Sequence, residues 1–291
     1  MKKINLLPLI LQFFLFFSTS ATSNDKIIGG IVIDDLNHPA FKYTVRLLIT
    51  QRFSEVDAPE LNGRKYTNKC SGVVISEEKI LTAAHCFPTA INLNFRDGVR
   101  RVRLVDRSIS IYSWYKAGSP EISGIPAKDY IVHPDYDEEW VTNFPDVWNP
   151  QKRVNDIAIV KYQAPLRYGK EPIPLSKVSP LNFKDKNFRL SGFGKSSRSQ
   201  IEISSLKYVD IPFNRILQNE VDFALGSGNY PSPSEVKNPK GGCFGDSGGP
   251  IVVDNQLVGI ISRGPGKENG GCFSSISIGT SVYSYLDWIG L

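Results

Sequence analysis

The chain has 291 residues, of which 41% are hydrophobic and 22% are charged. This composition is typical of a folded globular protein and excludes a disordered or fibrous chain. The formal charge of +5 falls to +3 without the first 26 residues, which carry three lysines and one aspartate. A charge balance this close to neutral excludes the strongly basic footprint of a nucleic-acid-binding protein.

The chain begins with the pattern of a secretory signal. A lysine pair precedes the apolar run "INLLPLILQFFLFF", which is too short to span a membrane comfortably, and small residues follow the run. No later apolar run is long enough to cross a bilayer. We therefore expect a signal peptide over residues 1–23 and a secreted protein, extracellular or periplasmic, that keeps no membrane anchor after cleavage.

Short β-rich runs separated by turn residues occupy the rest of the chain. Examples are "YTVRLLI", "DIAIVKY" and "FRLSGFG", and "PIVVDNQLVGIIS" is typical of a hairpin that turns at Asp254 and Asn255. The pattern predicts an all-β chain without a linker between independent domains. One terminal helix is predicted in "VYSYLDWIGL", with Ser281 as its cap.

Four cysteines in an exported chain predict two disulfides. The runs "CSGVVIS" and "KILTAAHC" flank a polar turn near residue 78, and folding them as a hairpin places Cys70 opposite Cys86. Cys243 and Cys272 are then left to pair. The spacing of the cysteines matches no zinc pattern, so we expect no metal site.

A nucleophile pattern surrounds Ser247 in the stretch "GGCFGDSGGP". The pattern also fits the loose G-x-S-x-G motif of α/β-hydrolases, but their triad histidine follows the serine, whereas all three histidines here precede it. His38 and His133 each stand before a proline, while His85 ends an apolar strand in a position rigid enough for a catalytic base. Asp156 heads the apolar run "DIAIVKY" and supplies an acid. The predicted triad is His85, Asp156 and Ser247.

Six motifs in register extend this pattern over essentially the whole mature chain. They are "IIGG" at Ile27, "LTAAHC" around His85, "NDIAIV" around Asp156, "SGFG" at Ser191, "GDSGGP" around Ser247, and "YLDWI" near the end. In this order they resemble the landmarks of trypsin/chymotrypsin-like serine peptidases. The resemblance implies two six-stranded antiparallel β-barrels with the active site in the cleft between them, plus a C-terminal helix. The peptidase domain would span residues 27–291, with barrels over about 27–172 and 173–291.

The resemblance also implies the roles of the site residues. Ser247 would attack a peptide carbonyl, His85 would take and return its proton, and Asp156 would orient the imidazole. The N–H groups of Gly245 and Ser247 would form the oxyanion hole. Protein or peptide substrates are the implied partners, and no cofactor is implied.

Activation by proteolysis is a further implication of the resemblance. Residues 24–26 would be a short activation propeptide. Cleavage after Lys26 would free the amine of Ile27, which would insert and pair with Asp246 to order the oxyanion loop. The full-length protein would therefore be an inactive zymogen.

The family pattern places four residues in or beside the primary specificity pocket: Gly241, Gly242, Ser262 and Gly264. A glycine rather than an acid at the pocket floor favours an apolar or mixed preference, although Glu268 in the nearby glycine-rich loop could restore some basic preference. A neutral pocket would cut poorly after Lys26, so a separate trypsin-like protease would be the activator. Arg263 occupies a position where the family usually has Trp, which could favour acidic residues further along the substrate.

The sequence therefore predicts a monomeric secreted serine endopeptidase. One alternative from another class is a catalytically weak or inactive binding protein on a peptidase scaffold. A lipase or esterase on another fold is disfavoured by the order of the triad residues.

Overall fold

The computed structural model describes residues 27, 29–113, 124–138, 154–163, 165–195, 205–217, 220–227, 240–264 and 276–290. The predicted signal peptide, Lys26, Glu268 and Cys272 lie outside these residues. Among the described residues, no helix is long and apolar enough to cross a membrane.

The described residues form a mainly β structure, which confirms the predicted fold class. The strands are β1 (Ile31–Val32), β2 (Thr44–Phe53), β3 (Lys65–Val74), β4 (Lys79–Thr82), β5 (Ala90–Phe95), β6 (Gly98–Tyr112), β7 (Ile125–Pro126), β8 (Asp129–Val132), β9 (Ala158–Lys161), β10 (Asn187–Gly192), β11 (Lys207–Ile216), β12 (Asp222–Leu225), β13 (Pro250–Val253), β14 (Gln256–Arg263) and β15 (Ser277–Ser281). The helices are α1 (Pro39–Tyr43) and α2 (Leu286–Ile289). Single 3-10 turns cover Pro59–Leu61, Ala84–Cys86, Pro180–Phe183 and Tyr283–Tyr285.

The C-terminal strands close into a six-stranded barrel. Their order is β11-β10-β13-β14-β15-β12, and β12 pairs back with β11. The strand β1 pairs with the first two residues of β11, so a segment from the N-terminal part of the chain joins the C-terminal sheet. Buried apolar side chains such as Phe188, Phe223 and Ile251 fill the barrel. Burial of this apolar surface is the main favourable term in folding.

The N-terminal strands form a curled half-barrel in an eight-stranded sheet. The order is β5-β6-β2-β3-β4-β9-β8, with β7 added to β6. Its core continues into the C-terminal half, because one buried cluster joins Val45 and Ile80 of the N-terminal sheet to Ile260 and Tyr285. The two sheets therefore share a packed boundary, which is where a site between them can be held rigidly.

The chain end differs from its prediction. Ser281 does not cap a helix, because it is the last residue of β15 and pairs with Gly259 of β14. A 3-10 turn at Tyr283–Tyr285 follows, and α2 has only four residues before Gly290 ends it in the left-handed region. This end packs on the N-terminal half, where the Lys79 Nζ donates to the Ile289 carbonyl at 3.1 Å.

Candidate active site

His85 is held by the predicted hairpin. Strands β3 and β4 pair in antiparallel register, with Val73 opposite Leu81. His85 lies in the 3-10 turn directly after β4. The disulfide between Cys70 and Cys86 is present, with a Cα–Cα distance of 6.3 Å, and confirms that prediction. The disulfide at the adjacent Cys86 thus holds the backbone of His85 in place. The His85 side chain is 21% exposed.

Asp156 is almost fully buried and holds His85 by two hydrogen bonds. Its Oδ2 lies 2.8 Å from His85 Nδ1, and its Oδ1 accepts the His85 backbone N–H at 2.9 Å. The Ser262 hydroxyl donates to Oδ2 at 2.5 Å. Burial raises the pKa of Asp156, but the nearby His85 and these hydrogen bonds outweigh burial and hold the pKa below its ordinary value. A carboxylate in this setting fixes the orientation of the imidazole.

The neighbouring Asn155 sets the direction in which Asp156 points. Asn155 has a φ of 51°, in the left-handed region that Asn tolerates better than most residues. Its amide Nδ2 donates to the Asp135 carbonyl at 2.8 Å, and its Oδ1 accepts from the Tyr285 hydroxyl at 2.9 Å. Tyr285 belongs to the 3-10 turn before α2. The C-terminal segment therefore braces the backbone that presents Asp156.

The Ser247 loop docks on the same hairpin that carries His85. The Ser71 backbone N–H donates to the Ser247 carbonyl at 2.8 Å, and the Ser71 hydroxyl donates to the Gly245 carbonyl at 2.8 Å. Gly248 has a φ of 78°, and a Cβ there would lie 2.0 Å from Thr82 Oγ1 and 2.7 Å from the Ala83 nitrogen. Only glycine lets the loop approach this closely. Ser247 is thereby brought to the hairpin end where His85 lies.

Two backbone N–H groups of the Ser247 loop are the predicted donors of the oxyanion hole. Within the described part of the chain, the N–H groups of Gly245 and Ser247 donate no hydrogen bond. Within the same residues, the Ser247 hydroxyl makes no hydrogen bond to the His85 ring. Such bonds are often long before substrate binds, so the arrangement is compatible with a serine awaiting substrate.

A family model for trypsin matches residues 36–289. The chain belongs to the trypsin family. Anionic trypsin from Canis lupus familiaris is 25% identical over 289 residues, covering 97% of this chain and 96% of that protein. Cathepsin G from Mus musculus is 26% identical over 291 residues, covering 97% of this chain and 90% of that protein. The trypsin family is a family of serine proteases, so hydrolase chemistry is supported at family level.

Solved structures agree with the fold. HL collagenase matches with a TM-score of 0.57 and 24% identity, covering 90% of this chain and 96% of that chain. The structure of GrC matches with a TM-score of 0.58 and 21% identity, covering 90% and 97%. Both similarities show that this chain shares the fold of those structures.

Asp246, the residue before the nucleophile candidate in this trypsin-family chain, is completely buried. Its carboxylate accepts the Gly194 N–H at 2.7 Å and the Cys243 N–H at 2.9 Å. A Cβ at Gly192 or Gly194 would lie 2.3 Å or 2.4 Å from Asp246 side-chain atoms, which explains both glycines of "SGFG". Burial raises the pKa of Asp246 to about 7, although the two N–H donors and the charge of Lys207 oppose the rise.

Lys207 is a neighbour of Asp246 that the sequence did not single out. It is fully buried and lies opposite Gly192 in the β10–β11 ladder. Side chains of directly opposed residues share one face of a sheet, so the lysine projects on the face where Gly192 meets the Asp246 carboxylate. Ile27, the predicted new N-terminus, is also buried and packs in the core of the C-terminal barrel.

The four predicted pocket residues lie before the Ser247 loop and at the end of β14. Gly241 is buried, and the Gly242 N–H donates to the Ser277 hydroxyl at 3.0 Å. Ser262 is buried and turned toward Asp156, and Gly264 follows it just after β14. Ser277, on β15, is a neighbour of the predicted pocket residues that the sequence did not single out. Glu268 and Cys272 lie outside the described residues, so the alternative basic preference and the pairing of Cys243 with Cys272 stay predictions.

The other two histidines have structural partners. His38 caps α1, because its Nδ1 accepts the Ala40 N–H at 3.2 Å. His133 packs against the rings of Tyr285 and Trp288, with centroid distances of 5.2 Å and 5.1 Å. The ligand atoms of Cys70, His85 and Cys86 lie within 4.8 Å of one another, but the two sulfurs are bonded together and offer no thiolate to a metal.

Proposed function

We propose that this trypsin-family chain is a secreted serine endopeptidase, made as a zymogen, that hydrolyses peptide bonds through an acyl-enzyme. One observation supports this proposal most directly. His85, at the end of the β3–β4 hairpin, is hydrogen-bonded to buried Asp156, and the Ser247 loop is hydrogen-bonded to the same hairpin. A nucleophile, its base and the group that orients the base thereby converge from separate parts of the chain. The signal peptide over residues 1–23 and the propeptide over 24–26 belong to this proposal.

The chemistry follows from the contacts of each group. Asp156 keeps the Nδ1 proton of His85, which leaves Nε2 to take the proton of Ser247 during attack and to return it to the leaving amine. The developing oxyanion would receive the N–H groups of Gly245 and Ser247, which donate no hydrogen bond within the described residues. These steps require only the peptide substrate, the protein and water.

The zymogen proposal rests on the surroundings of Asp246. In the intact chain this carboxylate is buried, and burial favours its protonated form. Cleavage after Lys26 would supply the positively charged amine of Ile27, whose ordinary pKa is about 8, and would favour the ionised carboxylate. That charge pair would hold the loop from Asp246 to Ser247 in its active form. Glycines at positions 241 and 242 favour apolar or mixed substrates, so a separate trypsin-like protease would be the activator.

Cleavage-site profiling tests the whole proposal. The intact chain, the chain cut after Lys26 and the cut Ser247→Ala variant are each incubated with a diverse peptide mixture. We expect cleavage by the cut chain alone, after Phe, Tyr or Leu. Cuts after Arg or Lys would favour the Glu268 alternative, and activity of the intact chain would contradict the zymogen. A folded, cut chain without activity would point to the binding scaffold.

A further inference from the structure

A buried ion pair lies beside the candidate triad. Arg263 ends β14 and Asp222 begins β12, with β15 between the two strands. Arg263 Nη2 lies 2.7 Å from Asp222 Oδ2, and the two side chains are only 6% and 1% exposed. The Thr280 hydroxyl, on the intervening β15, donates to Asp222 Oδ1 at 3.2 Å. The guanidinium is therefore directed into the protein rather than toward solvent.

The same guanidinium reaches the triad through one hydroxyl. Arg263 Nη1 donates to Ser262 Oγ at 3.0 Å, and Ser262 Oγ lies 2.5 Å from Asp156 Oδ2. A guanidinium only donates, so the serine oxygen must accept from Arg263. The single hydroxyl proton of Ser262 is then left for Asp156. The ion pair thus determines which way this hydroxyl points.

The charge of Arg263 also strengthens the bond that it directs. A cation donating to a hydroxyl oxygen polarises the O–H group, and chains of hydrogen bonds reinforce one another in a low-dielectric interior. Asp222 keeps the guanidinium in place, because separating a buried pair leaves an uncompensated charge at high cost. The result is a continuous chain of contacts from Asp222 through Arg263, Ser262 and Asp156 to His85.

We propose that Arg263 and Asp222 are positioning residues that hold Ser262 as a hydrogen-bond donor to Asp156 and so hold Asp156 for His85. This inference rests on the peptidase function proposed above. It assigns Arg263 a role different from the attraction of acidic substrate residues, since its guanidinium faces Asp222 and Ser262.

One ionisable group outside this chain of contacts interacts electrostatically with it. It is Tyr136, in the segment after β8, and the neighbouring Asp137 and Glu138 act on Tyr136 in turn. Burial raises the pKa of Tyr136, and the charges of Asp156, Glu138 and Asp137 raise it further while Arg263 opposes them. Tyr136 therefore lies within the electrostatic reach of both Asp156 and Arg263. Variants of the ion pair leave these groups in place, so a change in the titration of His85 reports the pair itself.

The kinetic test removes both charges together. The double variant Arg263→Met with Asp222→Asn leaves no buried charge unpaired. In the cut chain we expect kcat to fall about tenfold while KM changes by less than about twofold, as for loss of a charge-assisted hydrogen bond made to the reacting groups. The matched control is Arg189→Met with Asp210→Asn, a partly exposed pair joined at 2.8 Å on β10 and β11, which should keep the original kcat.

A titration of His85 by NMR decides the inference without any activity. It uses the Ser247→Ala background, with His38→Gln and His133→Gln to leave one ring signal. Arg263 lies nearer to the triad than Asp222, so the double variant should raise the pKa of His85. Asp222→Asn alone, which leaves the cation uncompensated, should lower it. Arg263→Lys keeps the cation but lacks the planar fork that reaches both acceptors, and should lower kcat with a smaller pKa change.

The outcomes separate the two proposals. An inactive cut chain would overturn the peptidase function, while the NMR titration would still report on the ion pair. Unchanged kcat in the double variant, or an unchanged pKa of His85 in both variants, would overturn the positioning role. A loss confined to KM, for substrates with acidic residues before the cut, would instead make Arg263 a substrate-binding residue.

Discussion

Two buried aspartates near Ser247 have pKa values displaced in opposite directions, although burial raises the pKa of both. Asp156, between the sheets, has a pKa below its ordinary value because His85 and two donors outweigh burial. Asp246, inside the C-terminal half, has a pKa raised to about 7 because burial outweighs its backbone donors and Lys207. The comparison shows that burial alone does not determine the charge of a carboxylate, since the partners decide which form is stable.

The difference has a functional meaning under the proposed mechanism. The partner of Asp156 is already in place in the folded chain, so that carboxylate is ready to stabilise an imidazolium. The proposed partner of Asp246, the Ile27 amine, exists only after cleavage. One aspartate would therefore serve the chemistry directly, while the other would make the chemistry depend on processing.

Asp156 should be essential for turnover. In the cut chain, Asp156→Asn should lower kcat/KM by about 10⁴, because an amide cannot hold the required tautomer of His85. Peptide hydrolysis under saturating and limiting substrate measures the change. Asp287→Asn, at an exposed position in α2, is the matched control and should leave the rate unaltered. A loss smaller than about tenfold would remove Asp156 from the triad.

The Asp246 side is tested by the stability of the intact chain. Between about pH 4 and pH 7, the folded chain keeps a proton on Asp246 that the unfolded chain releases, because the pKa rises from 3.8 to about 7 on folding. The folded state then binds more protons, so this residue's contribution to stability falls as the pH rises through that window. Asp246→Asn should remove the loss and leave the variant more stable at pH 8. The expected gain is a few kcal/mol, since each pH unit between the folded and unfolded pKa values contributes on the order of 1.4 kcal/mol.

Urea unfolding of the uncut chain measures this effect at pH 4, 6 and 8. All samples carry Ser247→Ala, so that self-cleavage does not disturb the comparison. The free energies of unfolding with and without Asp246→Asn should coincide near pH 4 and diverge toward pH 8. Parallel curves over the whole range would mean that Asp246 already has a sufficient counter-charge, for which buried Lys207 is the candidate.

The sequence predicted those parts of the site that depend on local motifs. His85 follows an apolar strand and precedes Cys86. The hairpin, and the disulfide between Cys70 and Cys86, could be predicted from the turn near residue 78. Asp156 could be identified because a carboxylate at the head of an apolar strand needs a partner. The fold class followed from the short β-rich runs, while the barrel architecture needed the family resemblance.

The parts that the sequence did not predict depend on pairing between distant strands. Lys207 meets Asp246 only because it lies opposite Gly192 in the β10–β11 register. Arg263 meets Asp222 only because β14, β15 and β12 are neighbours in the barrel. The type and position of Ser281 predict a helix cap, but its backbone pairs with Gly259 in the sheet. For Ser281, tertiary pairing outweighs local propensity.

The hydrogen bond between Tyr285 and Asn155 should support the position of Asp156 more weakly. Tyr285→Phe removes one buried hydrogen bond of 2.9 Å. It should lower the free energy of unfolding by about 1 kcal/mol. Because Asn155 holds the backbone before Asp156, kcat should also fall, by less than about tenfold, with KM unchanged. Tyr283→Phe, two residues earlier and 47% exposed, is the matched control. Equal stability and equal kcat in the two variants would mean that the C-terminal segment does not brace Asp156, and that its contact with the N-terminal half serves packing alone.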